Sequence, residues 1–320
     1  MFVIKNIGEM MSQGKKFSIL VCEPMAKDGL DMLTKEAHLQ VDSLNLSRNE
    51  LLSKIGSYDA LLVRSQTSVD KELIDKASNL KLIGRAGVGI DNIDVKFAKE
   101  KNIAVINTPT GNSIAACEMA FALMLALARK IPWAHAATKS GAWKRDANSG
   151  CELANKTLGL LGFGNVGRLL SKRAQAFDMK VIAHDPQVPD ALFLEHNVKS
   201  VSFDELLKAD FVSLHASLND STKNIINEKS LSKAKPGIFL INTARGELVD
   251  DQALIAALNT DQVAYAALDV FKKEPPDPKD HLLNHPKIIC TPHLGASTKE
   301  AQLKVSTMLA EQVIEFFKKF

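Results

Sequence analysis

The chain has 320 residues, a formal net charge of +3 and 46% hydrophobic residues, enough for two separately cored domains. Charges of both signs are interspersed, so nothing calls for a nucleic-acid or membrane partner. The longest apolar run, residues 119–128 between Glu118 and Arg129, is shorter than the roughly 20 residues that a bilayer requires.

Residues 1–16 carry charges and two adjacent methionines, Met10 and Met11, without an apolar signal core. They read as a loose tail, and translation starting at Met10 or Met11 would fit as well. From Phe17 onward, short β-rich runs alternate with amphipathic segments: strands are expected at 17–22, 60–64, 81–85 and 103–107. Ser47-Arg48-Asn49-Glu50 is a capping box opening a helix through Ile55, and residues 69–77 and 93–101 read as two more helices. Residues 113–130 form a long Ala/Met/Leu-rich helix, apolar enough to serve a subunit interface as well as a core.

A second series begins at Thr157, with strands expected at 158–161, 180–184, 211–215, 238–242, 263–268 and 288–291. Ser202-Phe203-Asp204-Glu205 caps a short helix. Ser297-Thr298-Lys299-Glu300 opens a final helix, with Leu303, Met308, Leu309, Val313 and Phe316 as its expected buried stripe. Two doubly wound α/β units with parallel sheets are therefore expected. The four cysteines (Cys22, Cys117, Cys151 and Cys290) have no metal-ligand spacing and read as free thiols of a reducing cytoplasm, with no metal site.

A lone GxGxxG says little, but here it follows an apolar strand and runs into a helix. Gly162 permits the tight turn, Gly164 lets the backbone approach a pyrophosphate, and Gly167 allows close helix–strand packing. Asn165 and Val166 open the helix, whose N-terminus offers unpaired N–H groups to phosphates. Asp185 lies 23 residues after Gly162, at the end of the next strand, where an acid accepts from ribose hydroxyls and repels a 2′-phosphate. No Arg or Lys occurs in Pro186-Gln187-Val188-Pro189-Asp190, which favours NAD over NADP.

Three polar signatures then end apolar strands: Asn242-Thr243-Ala244-Arg245-Gly246, Ala267-Leu268-Asp269-Val270 running on to Glu274-Pro275, and Thr291-Pro292-His293-Leu294-Gly295. Oxidising a 2-hydroxy acid needs a base for the hydroxyl proton, which a His beside a carboxylate can supply near neutral pH. It also needs a cation to grip the carboxylate and polarise the carbonyl, for which the Arg fork is suited. Each residue alone has a plain structural alternative, as ion-pair partner, turn cap or solvated acid. Only the combination points to catalysis.

In this order and at these separations, the phosphate loop, Arg245, Asp269, Glu274 and His293 resemble the D-isomer-specific 2-hydroxyacid dehydrogenase family. The resemblance runs nearly from Phe17 to the end, with support from Val63-Arg64-Ser65, Gly84-Arg85-Ala86-Gly87-Val88-Gly89-Ile90-Asp91-Asn92 and Gly111-Asn112-Ser113. It implies a Rossmann NAD-binding domain at 112–294 inserted in a flavodoxin-like substrate-binding domain at 17–111 and 295–320, closing about hinges near Gly111 and Gly295. It makes His293 the acid/base, Glu274 its partner and Arg245 the carboxylate-binding group. Asp269 would hold the nicotinamide carboxamide. Val88, Thr243, Ala244, His293, Gly295 and Ala296 would line the cofactor, and Val88 and Gly89 would offer N–H groups to the substrate carboxylate. The family often places a Thr after the strand at 211–215, where this chain has His215-Ala216-Ser217; a backbone contact from Ala216 or Ser217 survives that change.

Arg64 and Arg85 each close a strand of the first unit and suit a substrate carrying phosphate as well as carboxylate, with Ser65 and Asn112 beside it. Lys144 and Arg145, after Trp143, are further candidates that could reach a neighbouring subunit's site. The resemblance implies oxidation of D-3-phosphoglycerate to 3-phosphohydroxypyruvate, the entry to serine synthesis, by a homodimer. Glyoxylate or hydroxypyruvate reduction is the alternative, and an NAD-sensing corepressor a remoter one. The end at Phe320 leaves no room for a C-terminal regulatory domain, so serine inhibition through one is not expected.

Overall fold

The computed structural model describes residues 16–320, so the tail expected at the N-terminus lies, up to residue 15, outside the described residues. The chain divides into two compact units: one ends at Asn112 and resumes with Thr298–Phe320, and the other is Ser113–Ser297.

Among the described residues the first unit holds five strands: β1 (Phe17–Val21), β2 (Leu39–Ser43), β3 (Ala60–Val63), β4 (Leu82–Arg85) and β5 (Ala104–Asn107). All are parallel, in the order β2-β1-β3-β4-β5. That order is flavodoxin-like, and its direction reverses between β1 and β3. One face of the sheet packs with the helices Lys27–Lys35 and Lys299–Phe317 around Leu33, Leu309, Val313 and Phe317. The Ser47–Glu50 capping box forms as expected.

Strand β2 and the helix Lys27–Lys35 were not foreseen. The strand, Leu-Gln-Val-Asp-Ser, is a half-exposed edge, and the helix starts after Ala26 without a side-chain cap. The last helix begins one residue later than the box implied: Thr298 is its N-cap, accepting from Ala301 N. Its buried stripe is Ala301, Val305, Leu309, Val313 and Phe317, a run of every fourth residue; Leu303 is 42% exposed and turned out of the core.

The second unit holds seven parallel strands: β6 (Thr157–Leu161), β7 (Lys180–His184), β8 (Lys199–Ser200), β9 (Phe211–Leu214), β10 (Ile238–Asn242), β11 (Val263–Leu268) and β12 (Ile288–Cys290). The order β12-β11-β10-β9-β6-β7-β8 is the Rossmann arrangement extended by one strand, with its direction reversing between β6 and β9. The helix Ser113–Ala128 buries Leu123, Met124 and Leu127 in the core with Leu158, Leu160 and Phe163.

At the β6/β9 switch the backbones after the two strands touch. Gly162 has φ of 96°, and a Cβ there would lie 2.7 Å from the His215 carbonyl and the Ala216 nitrogen. His215 N donates to Leu161 O at 2.7 Å. The His215 imidazole Nε2 lies 2.9 Å from Ser213 Oγ, and burial pushes its pKa down to about 4, so the ring is neutral at physiological pH.

Two predictions follow from this packing. In Gly29→Ala the new Cβ would meet Ser306 O at 2.7 Å across the helix pair, so a loss of about 1–3 kcal/mol in urea unfolding is expected; unchanged stability would mean that the helices can separate freely. For His215, the unfolded chain binds a proton near the ordinary 6.5 and the folded chain only near 4. Stability present above pH 6.5 is therefore lost as pH falls toward 4. A Tm–pH series should show a shallower decline over that window in His215→Asn than in wild type.

Candidate functional site

In the second unit the glycine loop leaves β6 and enters the helix Asn165–Gln175, with Gly164 as N-cap. A Cβ on Gly167 would lie 2.5 Å from Gly162 O, so this glycine lets the helix close onto the loop. A Cβ on Gly164 would meet nothing within 4 Å, which leaves the loop's outer side open for a ligand. Arg168 braces the loop from inside, donating to Phe163 O at 3.0 Å and to Asn165 Oδ1 at 2.8 Å. Val166 packs against the core. Asp185, just past β7, accepts from Phe163 N at 2.9 Å and from Gln187 N at 3.0 Å. Each of its oxygens keeps a second lone pair on the half-buried side chain.

After β9, Ala216 is half-buried beside Gly162 and Ser217 is exposed, its carbonyl accepting from Thr222 Oγ1 at 2.7 Å. After β10, the buried Asn242 side chain shapes the next turn. Its amide donates to Arg245 O at 2.8 Å and its oxygen accepts from Ala244 N at 3.1 Å. Thr243 Oγ1 is buried without a hydrogen-bond partner among the described residues. An orphaned hydroxyl, an open glycine loop and a ribose-range acid together fit a bound dinucleotide.

Arg245 donates to Ala244 O at 2.6 Å and is half-buried. The following Gly246 lies so near the loop after β11 that a Cβ would sit 2.2 Å from the Phe271 carbonyl carbon. No side chain fits there, so the turn carrying Arg245 and the loop carrying Glu274 press directly together. Phe271 N donates to Glu274 Oε1 at 3.0 Å, which fixes the carboxylate from the same loop.

Glu274 Oε2 accepts from His293 Nδ1 at 2.6 Å. Facing a carboxylate, Nδ1 must carry the proton, and Nε2 is left for a substrate. Partial burial opposes ionisation of Glu274. The His293 hydrogen bond, the Phe271 N–H and the charges of His293 and Arg245 outweigh it and hold the carboxyl below its ordinary range.

His293 is itself unusual, with φ of 53° in the left-handed region. Its turn is held by Asp269, which is fully buried and accepts from Thr291 Oγ1 at 2.6 Å, Leu294 N at 2.7 Å and Gly295 N at 2.8 Å. Gly295 is buried against this carboxylate and Ala296 half-buried beside it. Asp269 thus faces the His293 turn, and a carboxamide would have to share it with those three donors.

The first unit gathers a second group at the ends of β1, β3 and β4. Arg64 follows β3 and pairs with no carboxylate among the described residues; its guanidinium donates to Pro24 O at 3.4 Å. Arg85 Nε donates to Arg64 O at 3.3 Å, and its guanidinium lies over Gly87. The N–H groups of Val88 and Gly89 donate to no acceptor among the described residues, while Val88 O accepts from Asn107 Nδ2 at 2.6 Å. Ser65 is exposed, and Asn112 Oδ1 is buried without a partner among the described residues. Arg145 is exposed and makes no side-chain hydrogen bond or ion pair among the described residues.

Sequence reasoning quoted Asn242, Gly246, Thr291 and Asn92 within its motifs but gave them no role, and it passed over Glu23; these residues hold the groups in place. All but Asn92 lie at or within four residues of a strand's carboxyl end, the signal that could have found them. Among the described residues no cluster of three or more His, Cys, Asp or Glu could hold a metal ion, and no helix is long and apolar enough to cross a membrane.

Residues 121–295 match the model of the D-isomer specific 2-hydroxyacid dehydrogenase NAD-binding domain. The chain is 44% identical over 302 residues to a D-3-phosphoglycerate dehydrogenase of Archaeoglobus fulgidus, covering 94% of this chain but only 57% of that protein. It is also 44% identical to a hydroxypyruvate reductase of Thermotoga maritima, covering 94% of this chain and 98% of that one. The crystal structure of a glyoxylate reductase from Paecilomyes thermophila superposes with a TM-score of 0.85 at 33% identity, covering 95% of this chain and 96% of that one. The chain belongs to the D-isomer specific 2-hydroxyacid dehydrogenase family, with its NAD-binding domain in the second unit.

Proposed function

We propose that the protein oxidises D-3-phosphoglycerate to 3-phosphohydroxypyruvate with NAD, a step of serine synthesis. The observation that carries the chemistry is the 2.6 Å hydrogen bond from His293 to Glu274, with Arg245 beside it. Gly162, Gly164, Asn165, Val166, Gly167, Asp185, Thr243 and Ala244 would hold the cofactor, which when bound supplies the hydride acceptor. His293 Nε2 takes the substrate hydroxyl proton, and Glu274 stabilises the resulting imidazolium through Nδ1–H. In the reverse direction the imidazolium returns that proton to the carbonyl oxygen. Arg245 binds the carboxylate and stabilises charge on the reacting oxygen.

The choice of a phosphorylated acid is supported by Arg64, a cation without a carboxylate partner among the described residues, and by Arg85 bonded to the Arg64 carbonyl. The Val88 and Gly89 N–H groups, unpaired among the described residues, suit the substrate carboxylate. In this reading the unit ending near Gly111 and resuming near Gly295 binds substrate, and the intervening unit binds NAD. Exposed Ile131 (53%) and Trp143 (80%) offer apolar surface for a second copy in a homodimer, and the four free cysteines suit a reducing cytoplasm. Reduction of hydroxypyruvate or glyoxylate is the second reading, favoured by equal identity to a protein named hydroxypyruvate reductase.

Two measurements test this. The purified chain should show a higher kcat/KM for the phosphorylated pair than for glyoxylate or hydroxypyruvate, and the reverse order would replace the first reading by the second. His293→Ala should retain NADH affinity and lose about 100-fold or more in turnover; undiminished turnover would remove His293 from the chemistry.

A further inference from the structure

Glu23 is a buried acid that the mechanism above does not use. It follows β1 by two residues, at the point where the sheet order reverses between β1 and β3. Its carboxylate accepts three backbone N–H groups of the loop after β3: Oε1 from Arg64 and Thr67, both at 2.9 Å, and Oε2 from Gln66 at 3.2 Å. Converging backbone N–H groups of this kind form a nest that binds anions. Here the anion is supplied by the chain itself.

The loop's carbonyl side is held as well. Asn92 Nδ2 donates to Arg64 O at 2.8 Å and to Thr67 O at 2.6 Å, so acid and amide grip the tetrapeptide from both polarities. Of its side chains, Ser65 and Gln66 are exposed, Arg64 is half-buried with its guanidinium donating to Pro24 O at 3.4 Å, and Thr67 Oγ1 meets Cys22 Sγ at 3.5 Å.

We propose that Glu23 is an internal anion plug: it fills the backbone nest of residues 64–67 and so reserves recognition of the substrate's distal oxyanion for the side chains of Arg64, Ser65 and Gln66. The inference rests on the reading that Arg64 meets the substrate. Glu23 touches no reacting atom and acts as a positioning residue. Without the plug, three unsatisfied N–H groups would re-form the loop around solvent anions and withdraw Arg64 from its rotamer. Filling the nest also removes a competing site at which free phosphate would otherwise bind next to the substrate.

The test compares Glu23→Ala, Glu23→Gln and Arg64→Gln in the full-length protein, measuring KM, kcat, NADH affinity and Tm with the phosphorylated substrate. Truncation to Ala leaves a hole that matches acetate, so acetate can refill the nest. Glu23→Ala should raise substrate KM about tenfold or more, the scale of lost charge-assisted hydrogen bonds, with kcat and NADH affinity near wild type. Added acetate should lower that KM and raise Tm in Glu23→Ala but not in wild type, and inorganic phosphate should inhibit Glu23→Ala more strongly than wild type. Glu23→Gln keeps an acceptor for Arg64 and Thr67 and should show a smaller KM rise. If Arg64→Gln raises KM while Glu23→Ala does not, or if acetate fails to restore it, the plug is overturned and the substrate reading stands. If Arg64→Gln leaves KM unchanged, the loop is not at the substrate, and the reading beneath the inference fails with it.

Discussion

A carboxylate without solvent contact, Asp269, takes all three of its donors from the turn that presents His293. The turn needs such an anchor, because His293 sits in a backbone region that non-glycine residues adopt at a cost of about 1–3 kcal/mol. Short bonds from Thr291, Leu294 and Gly295 offset that cost and fix where the imidazole points. With the ring so placed, its Nδ1 meets Glu274, and Nε2 is the ring's other nitrogen. Burial of Asp269 makes the anchor rigid, since an unmade bond there would leave a charged oxygen without water.

The other side of the site is set by backbone contact. Gly246 lets the Arg245 turn and the Glu274 loop meet at a distance that no side chain would allow, and Asn242 closes the turn from beneath. Arg245, Glu274 and His293 come from the ends of three neighbouring strands, β10, β11 and β12, so their spacing follows from the sheet. Proton transfer and oxyanion stabilisation both depend on such preset geometry. The first unit repeats the principle with Glu23 and Asn92 holding the Arg64 loop.

Features with a short-range cause were legible in the sequence. The Ser47–Glu50 and Ser202–Glu205 boxes are local exchanges of hydrogen bonds, and both form. The glycine loop was legible from needs that are local at Gly162, with its φ of 96°, and at Gly167, which closes onto Gly162 O; the approach of His215 and Ala216 to Gly162 is set by the fold. The failures have longer-range causes or weak local signals. The helix Lys27–Lys35 has no side-chain cap and depends on Gly29 meeting Ser306 across the unit. Leu303 was given to the core because it is apolar, yet the phase of the final helix is set by Val305, Leu309 and Val313 against the first sheet. Glu23 and Asp269 could be seen as acids after strands, but which groups they grip, 41 or more and 22 or more residues away, is decided by the fold.

The most direct test is single-turnover hydride transfer in Asp269→Asn, with NADH affinity measured alongside. The amide sets a donor against the turn's own donors, so His293 should lose its fixed position. The expected result is transfer slowed about 100-fold, the scale of a 1 Å misplacement, with NADH affinity close to wild type. An unchanged transfer rate, or a loss confined to NADH binding, would contradict the assignment of Asp269 as the anchor of the His293 turn.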